Sequence, residues 1–239
     1  MASSFGFLAK FEFLQVVASR LIAGINPAVV HNIEKYLALK KVHYLTAVEH
    51  LEGDYLEFGV FSGSSFTHSI RCAKKLESIH PGIKQSRFIG FDSFQGFGDI
   101  EDDDEHPFYT DENFSTSFAS VQKRVDSVSG GYSCKLVKGF FNESLSFGPE
   151  HYDITNVRIA FIDSDTYASS RDALKFISSV IQEGTYIVLD DFYSYRGSRK
   201  RGVARAFDEF LVESNVSVRK VLSYGMGGAV FVIDSLLPA

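Results

Sequence analysis

Apolar positions along this chain recur in two rhythms. Phe7, Phe11, Leu14, Ala18 and Leu21 repeat at helical spacing, Pro27 breaks the pattern, and a second helical stretch runs over 29–51. Short continuous apolar runs then alternate with helical ones. Strands are predicted at 55–58, 87–92, 133–137, 157–162 and 185–189, with helices at 64–76, 118–128, 169–181 and 202–213. Glu183-Gly184 reads as the stop of the third of these helices. The runs 216–224 and 229–234 flank a glycine turn, Gly225-Met226-Gly227-Gly228, and form a hairpin. Strand alternating with helix, closed by a hairpin, predicts an α/β fold: a doubly wound Rossmann-like sheet with an antiparallel C-terminal edge hairpin and an N-terminal helical extension. One domain is expected over 1–239, with 1–53 as the extension and 54–239 as the core. The extension either packs on the sheet or forms a dimer contact or lid. The polar stretch 93–115 is too long for a plain connection and reads as a flap, its acidic run 101–105 as a solvated surface.

Composition narrows the classes. A net charge of −6 lacks the basic field that nucleic acid requires. Lys10, Glu12 and Arg20 interrupt the apolar start, so neither a signal peptide nor a membrane span is expected, and a cytoplasmic protein follows. Cys72 and Cys134 show no metal spacing and read as buried thiols.

The chemistry sits at strand ends. The first strand runs into Glu57-x-Gly59-x-x-x-Gly63, and the second ends at Asp92. Strand, glycine turn, helix, strand, acid is how an open α/β sheet holds an adenosine ribose. The glycine spacing departs from the pyrophosphate fingerprint, and an acid precedes the first glycine. That suits S-adenosylmethionine, whose ammonium would meet Glu57 and whose carboxylate would meet the amides of Ser62, Gly63, Ser64 and Ser65 at the helix start. The fourth strand ends at Asp163 and Asp165, the fifth at Asp190 and Asp191. Neighbouring strands lie about 4.8 Å apart, so these acids are placed to share one ion. Oxygen donors without His or Cys favour Mg²⁺ over zinc. The alternative is that some of the four cap a helix or turn. Arg196, Arg199, Lys200 and Arg201 are either a solvated helix start or a clamp for an anionic substrate.

Several motifs together resemble the macrocin O-methyltransferase (TylF-type) family of class I S-adenosylmethionine-dependent methyltransferases. They are Leu56-Glu57-Phe58-Gly59-Val60, Gly90-Phe91-Asp92-Ser93-Phe94-Gln95-Gly96, Lys138-Gly139-Phe140-Phe141, Asp163-Ser164-Asp165-Thr166-Tyr167 and Leu189-Asp190-Asp191. The resemblance implies a Mg²⁺-assisted O-methyltransferase acting on a hydroxyl of a sugar, sugar nucleotide or glycosylated small molecule. It assigns the cofactor to Glu57, Gly59, the 62–65 turn, Asp92, Ser93, Gly139, Phe140 and Asp163. It assigns the metal to Asp165, Asp190 and Asp191, and catalysis to Asp163 and Asp165. Other readings are a metal-dependent methyltransferase of a catechol-type substrate and a catalytically silent cofactor-binding module. A homo-oligomer is left open.

Overall fold

The computed structural model describes residues 11–98, 100, 104–107, 109 and 114–237. Helix α1 (Glu12–Ala23) turns through 92° into α2 (Pro27–Val48), where Asn26 caps the new helix by accepting from the Ala28 amide at 2.9 Å and Pro27 fills the first helical position. Phe7 lies outside the described residues. Then follow β1 (Asp54–Phe58), α3 (Ser64–Leu76), β2 (Phe88–Asp92), α4 (Phe118–Ser129), β3 (Cys134–Lys138), β4 (Val157–Ile162), α5 (Tyr167–Ile177), β5 (Ile181–Leu189), α6 (Gly202–Glu213), β6 (Val216–Tyr224) and β7 (Gly228–Leu236). No single described helix is long and apolar enough to cross a membrane.

The seven strands form one sheet in the order β3-β2-β1-β4-β5-β7-β6. The first five are parallel; β7 runs antiparallel to both of its neighbours. The hairpin therefore sits at the expected edge, but its reversed strand is the inner one and β6 forms the rim.

Side-chain alternation divides the core into two layers. Leu56, Phe58, Ile162 and Leu189 pack against α5 and α6 through Leu174, Val203 and Phe207. Tyr55, Phe88, Ile159 and Phe161 pack against α2 and α3 through Leu39, Val42 and Phe66. Arg158 is wholly buried, donating to Thr46 Oγ1 at 3.0 Å, and burial lowers its pKa to about 10.

One boundary differs from the sequence expectation. The helix before β5 ends at Ile177, and β5 begins at Ile181. The Glu183-Gly184 pair lies in a bulge inside the strand and does not stop the helix. Register jumps from Val157↔Ile181 to Ile159↔Tyr186, and Gly184 takes φ +86°. Thr185 closes the bulge, its hydroxyl accepting from Gln182 N at 2.9 Å and donating to Val157 O at 2.6 Å.

Candidate active site

Strand order reverses between β1 and β4, and ligands in open α/β sheets bind beyond the strand ends at such a point. A cavity of about 970 Å³ opens there. Gly59, Asp92, Ser93, Phe140, Asp163, Asp165, Asp190 and Asp191 line it, as do His31 and Lys35 from α2 and Tyr109 from the flap.

Gly59 is required by close approach. It holds φ +95°, and a Cβ there would stand 1.8 Å from the Asp163 carbonyl oxygen. The Asp163 amide donates to Phe58 O at 2.8 Å, stitching the ends of β1 and β4 together. Asp92 accepts from the Phe61 amide at 2.7 Å and the Phe94 amide at 2.5 Å, so it shapes the turn after β1 while facing the cavity.

Glu57 is not at the cavity wall. Strand alternation places it on the face of Tyr55, wholly buried, where Tyr55 OH and Ser65 Oγ donate to its two oxygens. Burial, only partly offset by those two donors, raises its pKa to about 7. Ser65 is spent on this contact. Ser62, Gly63, Ser64 and Gly139 stand beside the cavity without lining it, and the Gly63 amide is bonded to Val60 O at 2.8 Å. In this arrangement the Glu57 carboxylate is bonded to Tyr55 and Ser65 and does not line the cavity.

The strand-end acids do converge, with a different division from that implied by the motifs. Oxygens of Asp163, Asp165 and Asp191 all lie within 4.8 Å of one another. Asp190 lies outside that group, and both its oxygens carry bonds of their own. Tyr224 OH donates to one at 2.8 Å; His31 Nε2 and Lys35 Nζ meet the other at 2.9 and 2.7 Å. Lys35 also reaches Asp163 at 2.8 Å. The group differs from the set Asp165, Asp190 and Asp191 in having Asp163 where that set has Asp190.

Electrostatics follow this split. Burial acts to raise Asp190, but Lys35 and His31 overcome it and hold its pKa below the usual carboxylate range. Burial and the neighbouring acids raise Asp163 and Asp165 well above that range; burial and Asp190 raise Asp191. Burial lowers Lys35, yet Asp163 and Asp190 raise it further, so it stays an ammonium. Three crowded carboxyls, with only Lys35 beside them and that shared between Asp163 and Asp190, suit a hard divalent ion, which would let all three ionise. Asp165 takes φ +62°, a conformation costly for a non-glycine residue and typical of functional turns.

The flap supplies a latch that sequence reasoning missed. Asp104 lies 1% exposed, its carboxylate accepting from the Tyr167 and Ala168 amides at 2.7 and 3.0 Å, at the N-terminus of α5. Its carbonyl accepts from Tyr195 OH at 2.8 Å. Asp104 is therefore a helix cap and not part of a solvated surface; the rest of the run, 101–103, lies outside the described residues except Glu105, which is exposed. Five residues on, Tyr109 OH donates to Asp191 at 3.3 Å and Ser194 Oγ at 3.1 Å. None of Arg196, Arg199, Lys200 and Arg201 lines the cavity; Arg199 pairs with Asp208 at 2.9 Å and Arg201 lies over the Tyr195 ring.

His31, Lys35, Tyr109 and Tyr224 are further site residues that the motifs do not contain. Lys35 carried a legible signal: Lys35, Leu39, Val42 and Thr46 share one buried helix face, where a lysine has no place unless paired.

A parallel sheet with its ligand cavity at the β1/β4 switch point, a glycine turn and a strand-end acid defines a nucleotide-cofactor α/β enzyme class. The family model for macrocin-O-methyltransferase (TylF) matches residues 33–219. The chain belongs to that family. It is 25% identical over 150 residues to the mycinamicin III 3''-O-methyltransferase of Micromonospora griseorubida, a match covering 59% of this chain and 55% of that protein, about half its length. Among solved structures, the calicheamicin methyltransferase CalS11 superposes with a TM-score of 0.69 at 18% identity, covering 97% of this chain and 94% of that one. The O-methyltransferase NovP gives 0.67 at 16%, covering 84% and 79%. These two likenesses concern the fold.

Proposed function

We propose that the protein methylates a sugar hydroxyl of an uncharged glycosylated small molecule, with S-adenosylmethionine as methyl donor and Mg²⁺ at the carboxylate cluster. The observation that carries this reading is the junction of Asp163, Asp165 and Asp191 with a cavity of about 970 Å³, at the upper end of the ~300–1,000 Å³ usual for ligand sites. That size suits a cofactor and an acceptor side by side. Gly59, Asp92, Ser93 and Phe140 would hold the cofactor, with Asp92 facing the ribose hydroxyls.

When bound, the cofactor supplies an electrophilic methyl group and the ion lowers the pKa of an acceptor hydroxyl. The chain's own residues do the rest. Asp165 and Asp163, at the cavity wall, would take the hydroxyl proton. Tyr109 fixes Asp191 from the flap side. His31 and Lys35 bring α2 against the cluster and form the acceptor-facing wall, which gives the N-terminal extension a part in the site.

Charge favours an uncharged acceptor over a sugar nucleotide. The 93–117 segment contains eight acids and no Lys or Arg. Lys35 is committed to two carboxylates, and the arginine cluster stands off the cavity. Among the described residues no arginine lines the cavity to clamp a diphosphate.

The test is a methyl-transfer screen with labelled cofactor over glycosides, sugar nucleotides and catechols, each with Mg²⁺ and with chelator. Metal-dependent labelling of neutral glycosides is expected. Labelling confined to catechols, or undiminished in excess chelator, would overturn the reading.

A further inference from the structure

We propose that α1 and the outer stripe of α2 form an isologous interface with a second copy of this chain, seated beside the mouth of the active-site cavity. Among the described residues, more than half of the large apolar side chains that stand exposed lie between Phe11 and Val48. α1 buries none of its residues, and Phe13, Leu21 and Ile22 are 75%, 68% and 66% exposed. A helix of 12 residues is marginal in water without tertiary packing, and one that is apolar on most of its faces is ordinarily covered.

α2 is covered on one face only. Leu39, Val42 and Thr46 are buried on the inner face. Two of its turns are tied to the end of β6 and the turn after it: Glu34 accepts from the Gly225 amide at 2.6 Å, and His31 Nδ1 accepts from the Met226 amide at 3.1 Å. The outer face presents Val29, Ile33 and Leu37 at four-residue intervals, each about half exposed. The fold thus fixes this stripe in place while leaving it bare, and Ile25 at the bend is exposed as well.

Area and charge make a second copy the occupant. The two stretches offer on the order of 1,000 Å² of apolar surface per copy, against roughly 800 Å² per partner in a standard stable interface. Between Phe11 and Val30 the only charged side chains are Glu12 and Arg20, so this arm lacks the basic face with which a helix lies on an anionic lipid surface. A patch without net charge meets its own copy without repulsion, and a two-fold axis lets each patch serve as the partner of the other. The position reaches the site. Asn26, Pro27, Ala28 and His31 line the cavity, so the bend that a partner holds is also cavity wall.

The experiment is sedimentation velocity of the full chain at about 10 µM, with circular dichroism to verify the fold of each variant and amide exchange read over residues 26–32. Wild type is expected to sediment at twice the chain mass of 26.6 kDa. Leu21→Glu combined with Ile22→Glu disturbs no buried side chain and should weaken the dimer roughly hundredfold or more. Exchange over 26–32 should then rise by about threefold or more. Val212→Glu, on α6 and 81% exposed, should leave the dimer intact. If the double variant does not fold, Ile33→Glu decides in its place. A monomeric wild type, or a double variant that remains a dimer, would overturn the interface. A monomer that pellets with phospholipid vesicles would overturn it in favour of a membrane. Unchanged exchange over 26–32 in a monomeric variant would overturn the seat beside the cavity. No methyl acceptor enters these measurements, so the interface stands or falls separately from the proposed activity.

Discussion

Replacing Asp104 by alanine tests whether the flap is latched to the fold. The carboxylate accepts two backbone amides, Tyr167 N at 2.7 Å and Ala168 N at 3.0 Å, in a 1% exposed position. A hydrogen bond to a charged group contributes about 1.5–3 kcal/mol, and loss of a helix cap costs about 0.5–2 kcal/mol. The two amides lie in one helix turn and share the penalty, so a loss of about 3 kcal/mol is expected, not the sum of both bonds. In a chain of this size each kcal/mol moves the melting temperature by about 2–4 °C, which gives a drop of about 6–12 °C. Asp104→Asn retains one acceptor and should lose roughly half as much. Tyr109 depends on the same latch. Its removal from Asp191 should lower kcat/KM roughly tenfold, equivalent to about 1.4 kcal/mol, with S-adenosylhomocysteine affinity nearly unchanged. Differential scanning calorimetry and steady-state kinetics read these two effects. An Asp104→Ala melting temperature within about 1 °C of wild type would refute the latch.

Four other outcomes are expected. Gly59→Ala should fold poorly or not at all in an expression and circular-dichroism test, because its Cβ would stand 1.8 Å from a backbone oxygen; a stable variant would show that the β1–β4 junction yields easily. Glu57 binds its proton more tightly in the fold than in the unfolded chain, so its contribution is full below 4.5 and lost as pH rises to about 7. Urea unfolding should therefore show wild type losing about 3 kcal/mol more than Glu57→Gln between the two ends of that window, and parallel curves would count against it. S-adenosylhomocysteine at a hundredfold over its dissociation constant should stabilise by about 2.7 kcal/mol, and NAD should not; the reverse order would refute the cofactor assignment. Asp165→Asn should lower kcat by on the order of a hundredfold or more while cofactor affinity, measured by calorimetry, holds; parallel losses of both would make Asp165 a cofactor ligand.

Fold and site differed in how far local patterns reach. Strand ends were legible because apolar runs stop at acids: Asp92, Asp163 and Asp190 all lie where the pattern puts them. The bulge at Gly184 was not, since Glu-Gly after a helical run has the chemistry of a helix stop and only pairing with Val157 reveals a strand. Asp104 reads as one acid among several because its partners lie 63 and 64 residues downstream. Glu57 shows two local rules in conflict. The motif points it at a ligand, whereas strand alternation puts it with Tyr55, and alternation prevails because Ser65 and Tyr55 are there to bond it. The helix face of Lys35 is legible as one that demands a partner, but the partner is not, because Asp163 lies 128 residues along the chain.

The joining of α2 to the ends of β5 and β6 also sets a timetable for biosynthesis. His31 and Asp190 are separated by 159 residues, which takes roughly 10–30 s to translate at about 5–20 residues per second. For most of that interval a nascent chain carries Lys35 on a helix whose carboxylate partners do not yet exist, the first of them, Asp163, following 128 residues later. The flank of β5 likewise stays open until β7, the most C-terminal described strand, slips between β5 and β6. A chain halted after β4 holds the glycine turn and Asp92, yet it lacks Asp190 and Asp191. The candidate carboxylate cluster therefore arrives late and all at once, with the ends of β4 and β5.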